Sequence, residues 1–315
     1  SAPHALHIAH HLFRPIAERQ TVSDRAHRLE DQPEVRFVSD FSNRVLAEIS
    51  ADEMWTHLEK LCEWDRTTGT DGEFAAVDYV ASVLRSYGLP VTIHEYDAYI
   101  SHPVSGGLST TLNGEPVEIP AKTRAFSANT PPEGVTGPLV SIQGGTNMFK
   151  ADNAVNQISP ETVGGRIVIS ESGSRATMLA AKRCGAIGYI HMWPSDEDVI
   201  HEGIVTPVWG TPTPETAGNI PSFPLISIKN ADGLRLRDAI SKGEVTATLR
   251  SVTETRWRKV KMPVTDIPGA EKDFVLVAGH IDSWHYGATD NATGNVACLE
   301  LARILSKHRE GLKRG

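Results

Sequence analysis

Phe274-Val-Leu-Val-Ala-Gly-His-Ile-Asp-Ser-Trp-His-Tyr-Gly-Ala-Thr-Asp-Asn-Ala-Thr-Gly294 is the stretch that decides how this sequence is interpreted. Its first part is an unbroken apolar run, which predicts a strand buried on both faces, as in a parallel sheet. Its second part is a loop punctuated by glycines that carries His280, Asp282 and Asp290. A helix pattern follows at once. Ligands of open α/β sheets bind outside the carboxyl ends of the strands, so we expect a ligand site here.

The three polar residues suggest a metal site. His280 and Asp282 are two residues apart at a strand end, so their side chains project to the same side. A metal-bound imidazole usually donates its other N–H to a carboxylate, which suits Asp282, while Asp290 can offer an oxygen to the metal. The residues alone leave an alternative open: Asp290 caps the next helix and His280 binds a local backbone group. The strand, the turn and the third carboxylate favour the metal site.

Composition excludes several classes of partner. The chain has 315 residues, 40% of them hydrophobic, with a net charge of −8, so nothing predicts binding to nucleic acid or to anionic membranes. No apolar run approaches the roughly 20 residues of a membrane span, and we expect no secretory signal. Three widely spaced cysteines form neither a disulfide framework nor a metal motif. We therefore predict that the cysteines are buried free thiols and that the location is cytoplasmic.

The order of patterns predicts two domains, one inserted into the other. Residues 1–100 contain helix patterns and a strand, including a capping box at Thr70 and Glu73, and predict the first part of an α/β domain. Residues 101–250 are rich in Gly and Pro with short β-like runs and predict an inserted β-rich domain. Residues 251–315 return to the α/β domain with the metal loop and the helix after it. Four histidines near the N-terminus lie on one face of a predicted helix: His4, His7, His10 and His11. We interpret them as the solvent-exposed edge of an amphipathic helix.

These motifs resemble a known family. Gly279-His-Ile-Asp-Ser-Trp284 followed by Gly287-Ala-Thr-Asp-Asn-Ala-Thr-Gly294 resembles the metal-binding loop of the M28 di-zinc peptidases, the group of aminopeptidases and glutamate carboxypeptidases. Arg66-Thr-Thr-Gly-Thr-Asp-Gly-Glu73 is similar to the N-terminal signature of that family. The insert, especially Gly165–Ser170 and Ala180–Ile190, is similar to a protease-associated (PA) domain. The resemblance implies an α/β fold with a parallel-type mixed sheet, flanking helices and a PA-like insert.

The resemblance also implies roles. His280 would ligate one zinc ion, Asp290 would bridge two, and Asp282 would orient His280 as the catalytic partner. Two metal ions can activate a water molecule and polarise the scissile carbonyl, with Mn or Co as alternatives to Zn. The implied function is exopeptidase-type hydrolysis of a small peptide or amide. The family's Glu-Glu pair and its further Asp and His ligands have no match in this sequence, and Glu300 is interpreted as structural.

We therefore expect this chain to be the N-terminal piece of a longer polypeptide. The C-terminal half of that polypeptide, or a separate complementary chain in a heteromer, would supply the remaining ligands, and the assembled unit would be able to dimerise. Three alternatives stay open from the residues: a scaffold subunit that has lost its chemistry, an amidohydrolase of small non-peptide amides, and a mononuclear site built on His280 and Asp290.

Overall fold

A computed structural model describes residues 40–145, 153–205, 212–220 and 223–315. The helices are α1 (Asp40–Ala47), α2 (Ala51–Leu61), α3 (Asp71–Ser86), α4 (Pro160–Val163), α5 (Arg175–Arg183), α6 (Asn230–Lys242) and α7 (Thr293–Lys307). The strands are β1 (Thr92–Leu112), β2 (Glu115–Thr123), β3 (Val135–Ser141), β4 (Ile167–Ser170), β5 (Gly188–Met192), β6 (Leu225–Ile228) and β7 (Thr246–Val264). Short 3-10 turns lie at Asn153–Gln157, Ala217–Asn219 and Arg309–Gly311. In the described ranges, no helix is both long enough and apolar enough to span a membrane.

The chain divides into two compact units, one formed by Ser1–Asp97 with Lys259–Gly315 and the other by Ala98–Arg258. The second unit contains a closed barrel with the strand order β1-β2-β6-β5-β4-β3-β7. The pairs β3–β4, β4–β5 and β5–β6 are parallel, whereas β1–β2, β2–β6 and β3–β7 are antiparallel. The predicted α/β class with a mixed sheet and flanking helices is confirmed. That this unit is a PA-like domain stays a prediction.

Two apolar clusters cover the sheet of the second unit. One joins the barrel strands to Leu236 of α6. The other packs Met178 and Ala181 of α5 against Val168 and Tyr189 of the sheet. The central strands β4, β5 and β6 are buried along their whole length, which explains why their sequences are continuous apolar runs rather than alternating ones.

Two leucines on α6 give a matched test of this packing. Leu236 is fully buried, whereas Leu234 on the same helix is 52% exposed. We expect Leu236→Ala to lower the free energy of unfolding by about 2–5 kcal/mol, because it removes buried methyl groups and leaves a cavity. Leu234→Ala should change it by less than about 0.5 kcal/mol. Urea unfolding of both variants measures the difference, and equal losses would contradict the packing described here.

The first unit is a helical layer. Leu58 and Leu61 of α2, Val80 of α3, and Val296 and Leu299 of α7 form one apolar cluster. α1 and α2 are separate helices, because Ser50 caps α2 by accepting a hydrogen bond from the Glu53 amide.

The predicted capping box of α3 is wrong in its partners. The Thr70 hydroxyl donates to the Thr67 carbonyl at 2.6 Å and makes no hydrogen bond that caps the helix. The Glu73 carboxylate accepts from the amide of Gly69 at 2.7 Å and not from that of Thr70. The helix nevertheless begins at the predicted place, since Asp71 is its first residue.

The prediction of a buried strand at Phe274–Gly279 is also wrong. These residues have no strand conformation, and Phe274 and Leu276 are 73% and 79% exposed. Strand conformation depends on hydrogen-bonded neighbours, and in the described ranges the segment has little of that support. The Val275 amide donates to the Gly315 carbonyl at 2.7 Å, which connects this segment to the C-terminal residues.

Candidate metal centre

The imidazole of His280 lies between two carboxylates. Its Nδ1 is 3.1 Å from Asp282 Oδ1 and also 3.1 Å from the Asp282 carbonyl oxygen. Its Nε2 is 2.9 Å from Asp290 Oδ1. The structure therefore brings together the three side chains that the sequence singled out. Their side chains are accessible, at 53%, 43% and 86% exposure for His280, Asp282 and Asp290, so the group faces solvent.

We call residues 280–290 the metal loop. It turns at Gly287, whose φ of +51° lies in the left-handed region. A Cβ at that position would lie 2.1 Å from the Ser283 Cβ and 2.7 Å from Arg66 Nη2, so only glycine fits. The helix predicted to start near Asn291 begins at Thr293, and Asp290 precedes it in a non-helical conformation. The N-cap of that helix is Ala292 and not Asp290. The other part of the alternative stays open, because His280 Nδ1 also lies 3.1 Å from the Asp282 carbonyl oxygen, a local backbone group.

Two asparagines that the sequence analysis did not single out hold the backbone of His280. Asn295 donates from Nδ2 to the His280 carbonyl at 3.0 Å, and Asn291 donates to the same oxygen at 3.3 Å. The Asn295 amide also reaches the Asn291 carbonyl at 2.9 Å. The start of α7 thus fixes the backbone from which the imidazole projects.

Arg66 and Thr68 bind the metal loop from the other side. The Arg66 guanidinium is fully buried and donates to the carbonyls of Ile281, Tyr286 and Gly287 at 2.8, 3.1 and 3.0 Å. Thr68 Oγ1 donates to Asp282 Oδ2 at 3.0 Å. The sequence analysis missed both roles. The similarity of residues 66–73 to a family signature was the one signal that marked this segment as more than a helix start.

Glu73 is the buried carboxylate nearest to this network. It is 4% exposed, and burial raises its pKa to about 7, with the negative charge of Asp282 adding to the rise. The hydrogen bond from the Gly69 amide acts in the opposite direction and lowers this pKa. Burial also lowers the pKa of the Arg66 guanidinium below its ordinary value.

The types of donor atom at this site suit zinc, but there are too few of them for a complete zinc site. An imidazole nitrogen and a carboxylate oxygen are common zinc ligands, and a tetrahedral ion holds such a pair about 3.4 Å apart. The separation of 2.9 Å between His280 Nε2 and Asp290 Oδ1 is close to that value. A zinc site needs at least three protein ligands, however, and the described residues contain no group of three or more His, Cys, Asp or Glu side chains able to hold a metal.

Several other residues discussed in the sequence can be compared with the structure. Glu300 is buried in an ion pair with Arg303 at 2.8 Å and accepts from the Ser50 amide at 2.7 Å, in keeping with the structural role assigned to it. The three cysteines are free, as predicted, and partly buried: Cys62, Cys184 and Cys298. Of the two residues that follow Asp282 in the loop, Ser283 is buried and Trp284 is 48% exposed. The four early histidines lie outside the described residues.

Comparisons with known proteins relate this chain to peptidases. Residues 264–315 match the profile of peptidase family M28. The probable lipoprotein aminopeptidase LpqL of Mycobacterium tuberculosis is 29% identical over 276 residues, which is 84% of this chain and 51% of that protein. The probable glutamate carboxypeptidase AMP1 of Arabidopsis thaliana is 24% identical over 329 residues, covering 85% and 44% of the two chains.

Solved structures agree on the fold. A zinc aminopeptidase from Bacillus subtilis superposes with a TM-score of 0.60 at 22% identity, covering 82% of this chain and 58% of that one. The predicted resemblance to the M28 peptidases is thus confirmed. The chain spans about half the length of the curated relatives that it matches.

Proposed function

We propose that this chain supplies one side of the active site of a metal-dependent exopeptidase that hydrolyses a peptide or amide bond. One observation carries the proposal: His280 directs Nε2 towards Asp290 Oδ1 at 2.9 Å while Asp282 occupies its Nδ1. This arrangement places an imidazole nitrogen and a carboxylate oxygen side by side at an exposed position. It is the arrangement that the M28 resemblance implies.

Each of the three residues has a separate task. His280 and Asp290 would hold zinc, and the Asp290 carboxylate would be the ligand shared with a second ion. Asp282 lies beside His280 Nδ1, where with a metal bound it would accept the Nδ1 proton and leave Nε2 to face the metal. Bound zinc, for which Mn or Co can substitute, polarises the scissile carbonyl and activates water. Two ions per assembled site is our proposal, and a single ion shared by His280 and Asp290 is the mononuclear alternative.

The remaining ligands and the general base must come from elsewhere. His280 and Asp290 offer two donors, and the described residues provide no larger group. The relatives named above are about twice as long as this chain, which supports a second segment. We propose that the C-terminal half of the same polypeptide, or a separate complementary chain, brings these groups. A dimer of the assembled unit is a further proposal.

Substrate type and compartment belong to the same proposal. One relative is named an aminopeptidase and another a glutamate carboxypeptidase, so small peptides with a free terminus are the first substrates to test, and small non-peptide amides the second. Three free cysteines suit a reducing, cytoplasmic compartment. The M. tuberculosis relative is named a lipoprotein, so fractionation of cells that express the complete gene product should decide the compartment.

Metal analysis of the complete gene product tests the function. We expect about two zinc ions per assembled site and hydrolysis of aminoacyl or N-blocked dipeptide substrates that a chelator abolishes and zinc restores. About one ion would support the mononuclear site. No metal after reconstitution, together with no hydrolysis, would contradict the enzyme and support a scaffold protein. Hydrolysis limited to small non-peptide amides would point to the amidohydrolase.

A further inference from the structure

A buried arginine ties the two ends of the metal loop together. The guanidinium of Arg66 donates from Nε to the Ile281 carbonyl at 2.8 Å, near the start of the loop. It donates from Nη1 and Nη2 to the carbonyls of Tyr286 and Gly287 at 3.1 and 3.0 Å, near its turn. Nη1 also reaches the Leu61 carbonyl at 2.5 Å, which anchors the guanidinium to the end of α2. One planar group thus sets the distance between the His280 side and the Asp290 side of the loop.

The geometry of these contacts requires arginine. A guanidinium presents five N–H donors in a fixed plane, whereas the ammonium of lysine is a compact charge with three rotating donors. The carbonyls of Ile281, Tyr286 and Gly287 are met by three different nitrogens of Arg66. The backbone adds a fourth contact, since the Ser283 amide donates to the Arg66 carbonyl at 3.1 Å. Arg66 and the metal loop are therefore joined by side-chain hydrogen bonds and by a main-chain hydrogen bond.

Thr68 adds a hydrogen bond to the carboxylate of Asp282. Its hydroxyl donates to Oδ2 at 3.0 Å, while Oδ1 of the same carboxylate lies 3.1 Å from His280 Nδ1. The two oxygens are thereby engaged by different partners, so the carboxylate cannot rotate without breaking one bond. A chain of hydrogen bonds runs from Thr68 through Asp282 to His280, and ends with Nε2 facing Asp290.

We propose that Arg66 and Thr68 are positioning residues of the metal centre. Arg66 sets the spacing of the loop and Thr68 fixes the rotation of the Asp282 carboxylate, and through it the tautomer and direction of His280. The inference rests on the proposed function for its catalytic meaning, but the hold of Arg66 on the loop does not depend on any bound metal. Partners of this kind, one step removed from the ligand, typically change metal affinity about 10–100-fold when they are lost.

Thr68→Val in the complete gene product tests the carboxylate contact, because valine keeps the shape and removes the donor. We expect Co²⁺, added as the only metal, to bind about 10–100-fold more weakly and with altered visible absorption bands. Thr68→Ser, which restores the hydroxyl, should recover the affinity and the spectrum. Thr67→Val is the matched control, since the Thr67 hydroxyl binds Asp65 and not the loop. An unchanged affinity and spectrum in Thr68→Val would overturn the role of Thr68.

Arg66→Lys tests the loop clamp by a measurement that needs no metal. Amide hydrogen exchange in the metal-free gene product should rise at Ser283 and Ala292, whose amides donate to Arg66 and Gly287, while α3 keeps its protection. Unchanged exchange at both amides would overturn the role of Arg66. Should the wild-type protein bind no Co²⁺, the proposed function fails, and the exchange experiment still decides whether the clamp exists.

Discussion

Asp290→Asn is expected to remove nearly all hydrolytic activity of the complete gene product. The Asp290 carboxylate oxygen lies 2.9 Å from His280 Nε2, and asparagine removes its charge. We expect kcat/KM to fall by more than the roughly 10–100-fold that the loss of an outer partner of a metal ligand costs. Zinc content should fall with it, because anionic oxygen is part of the donor set.

Comparing the activity losses of three Asp→Asn variants makes this prediction more specific. Asp282→Asn should reduce kcat/KM about 10–100-fold, because it disturbs the orientation of His280 without removing a metal ligand. Asp78→Asn, on the exposed face of α3, is the control. Steady-state kinetics and metal content of the three variants measure the order. A larger loss in Asp282→Asn than in Asp290→Asn would mean that the roles of these two residues are exchanged.

The core of this site could be predicted because its members are close in sequence. His280 and Asp282 are two residues apart, and Asp290 follows within one short loop, so local geometry restricts where their side chains can go. The structure places the imidazole between the two carboxylates. Their chemical roles remain predictions, which the substitutions above test.

The supporting residues could not be predicted in this way. Arg66 and Thr68 are more than 200 positions from the loop that they bind, and their contacts exist only because α2 and α3 pack beside α7. Hydrogen bonds to backbone carbonyls carry no signature in the sequence of the acceptor. A buried arginine that contacts carbonyl oxygens therefore looks, in a sequence, like any charged residue before a helix.

The apolar run that begins at Phe274 shows a case in which a clear sequence pattern led to a wrong prediction. Its composition predicts a buried strand, yet Phe274 to Val277 are 53% to 79% exposed. Hydrophobic pattern reports what a segment is suited to contact, while strand conformation also needs a neighbour to bond with. Barrel strands such as β5, which pair on both sides, combine the same kind of sequence with full burial.

Glu73 is a buried group whose titration should affect stability. Its carboxyl is 4% exposed at the start of α3, and burial, together with the charge of Asp282, raises its pKa from 4.5 to about 7. In the unfolded chain it ionises near 4.5, so between these values the unfolded state releases a proton that the folded state keeps. The contribution of Glu73 to the free energy of unfolding should therefore fall as the pH rises from about 4.5 to about 7, and level off above.

Glu73→Gln should remove this pH dependence. Glutamine keeps an oxygen that can accept from the Gly69 amide, and it has no charge to bury. A shift from 4.5 to about 7 corresponds to up to about 3 kcal/mol, so the stability of the variant relative to wild type should rise by that amount between those pH values. Urea unfolding from pH 4 to pH 9 measures the difference, with Glu59→Gln on the exposed face of α2 as the control. A difference that stayed constant over this range would show that Glu73 ionises equally easily in the folded and unfolded states.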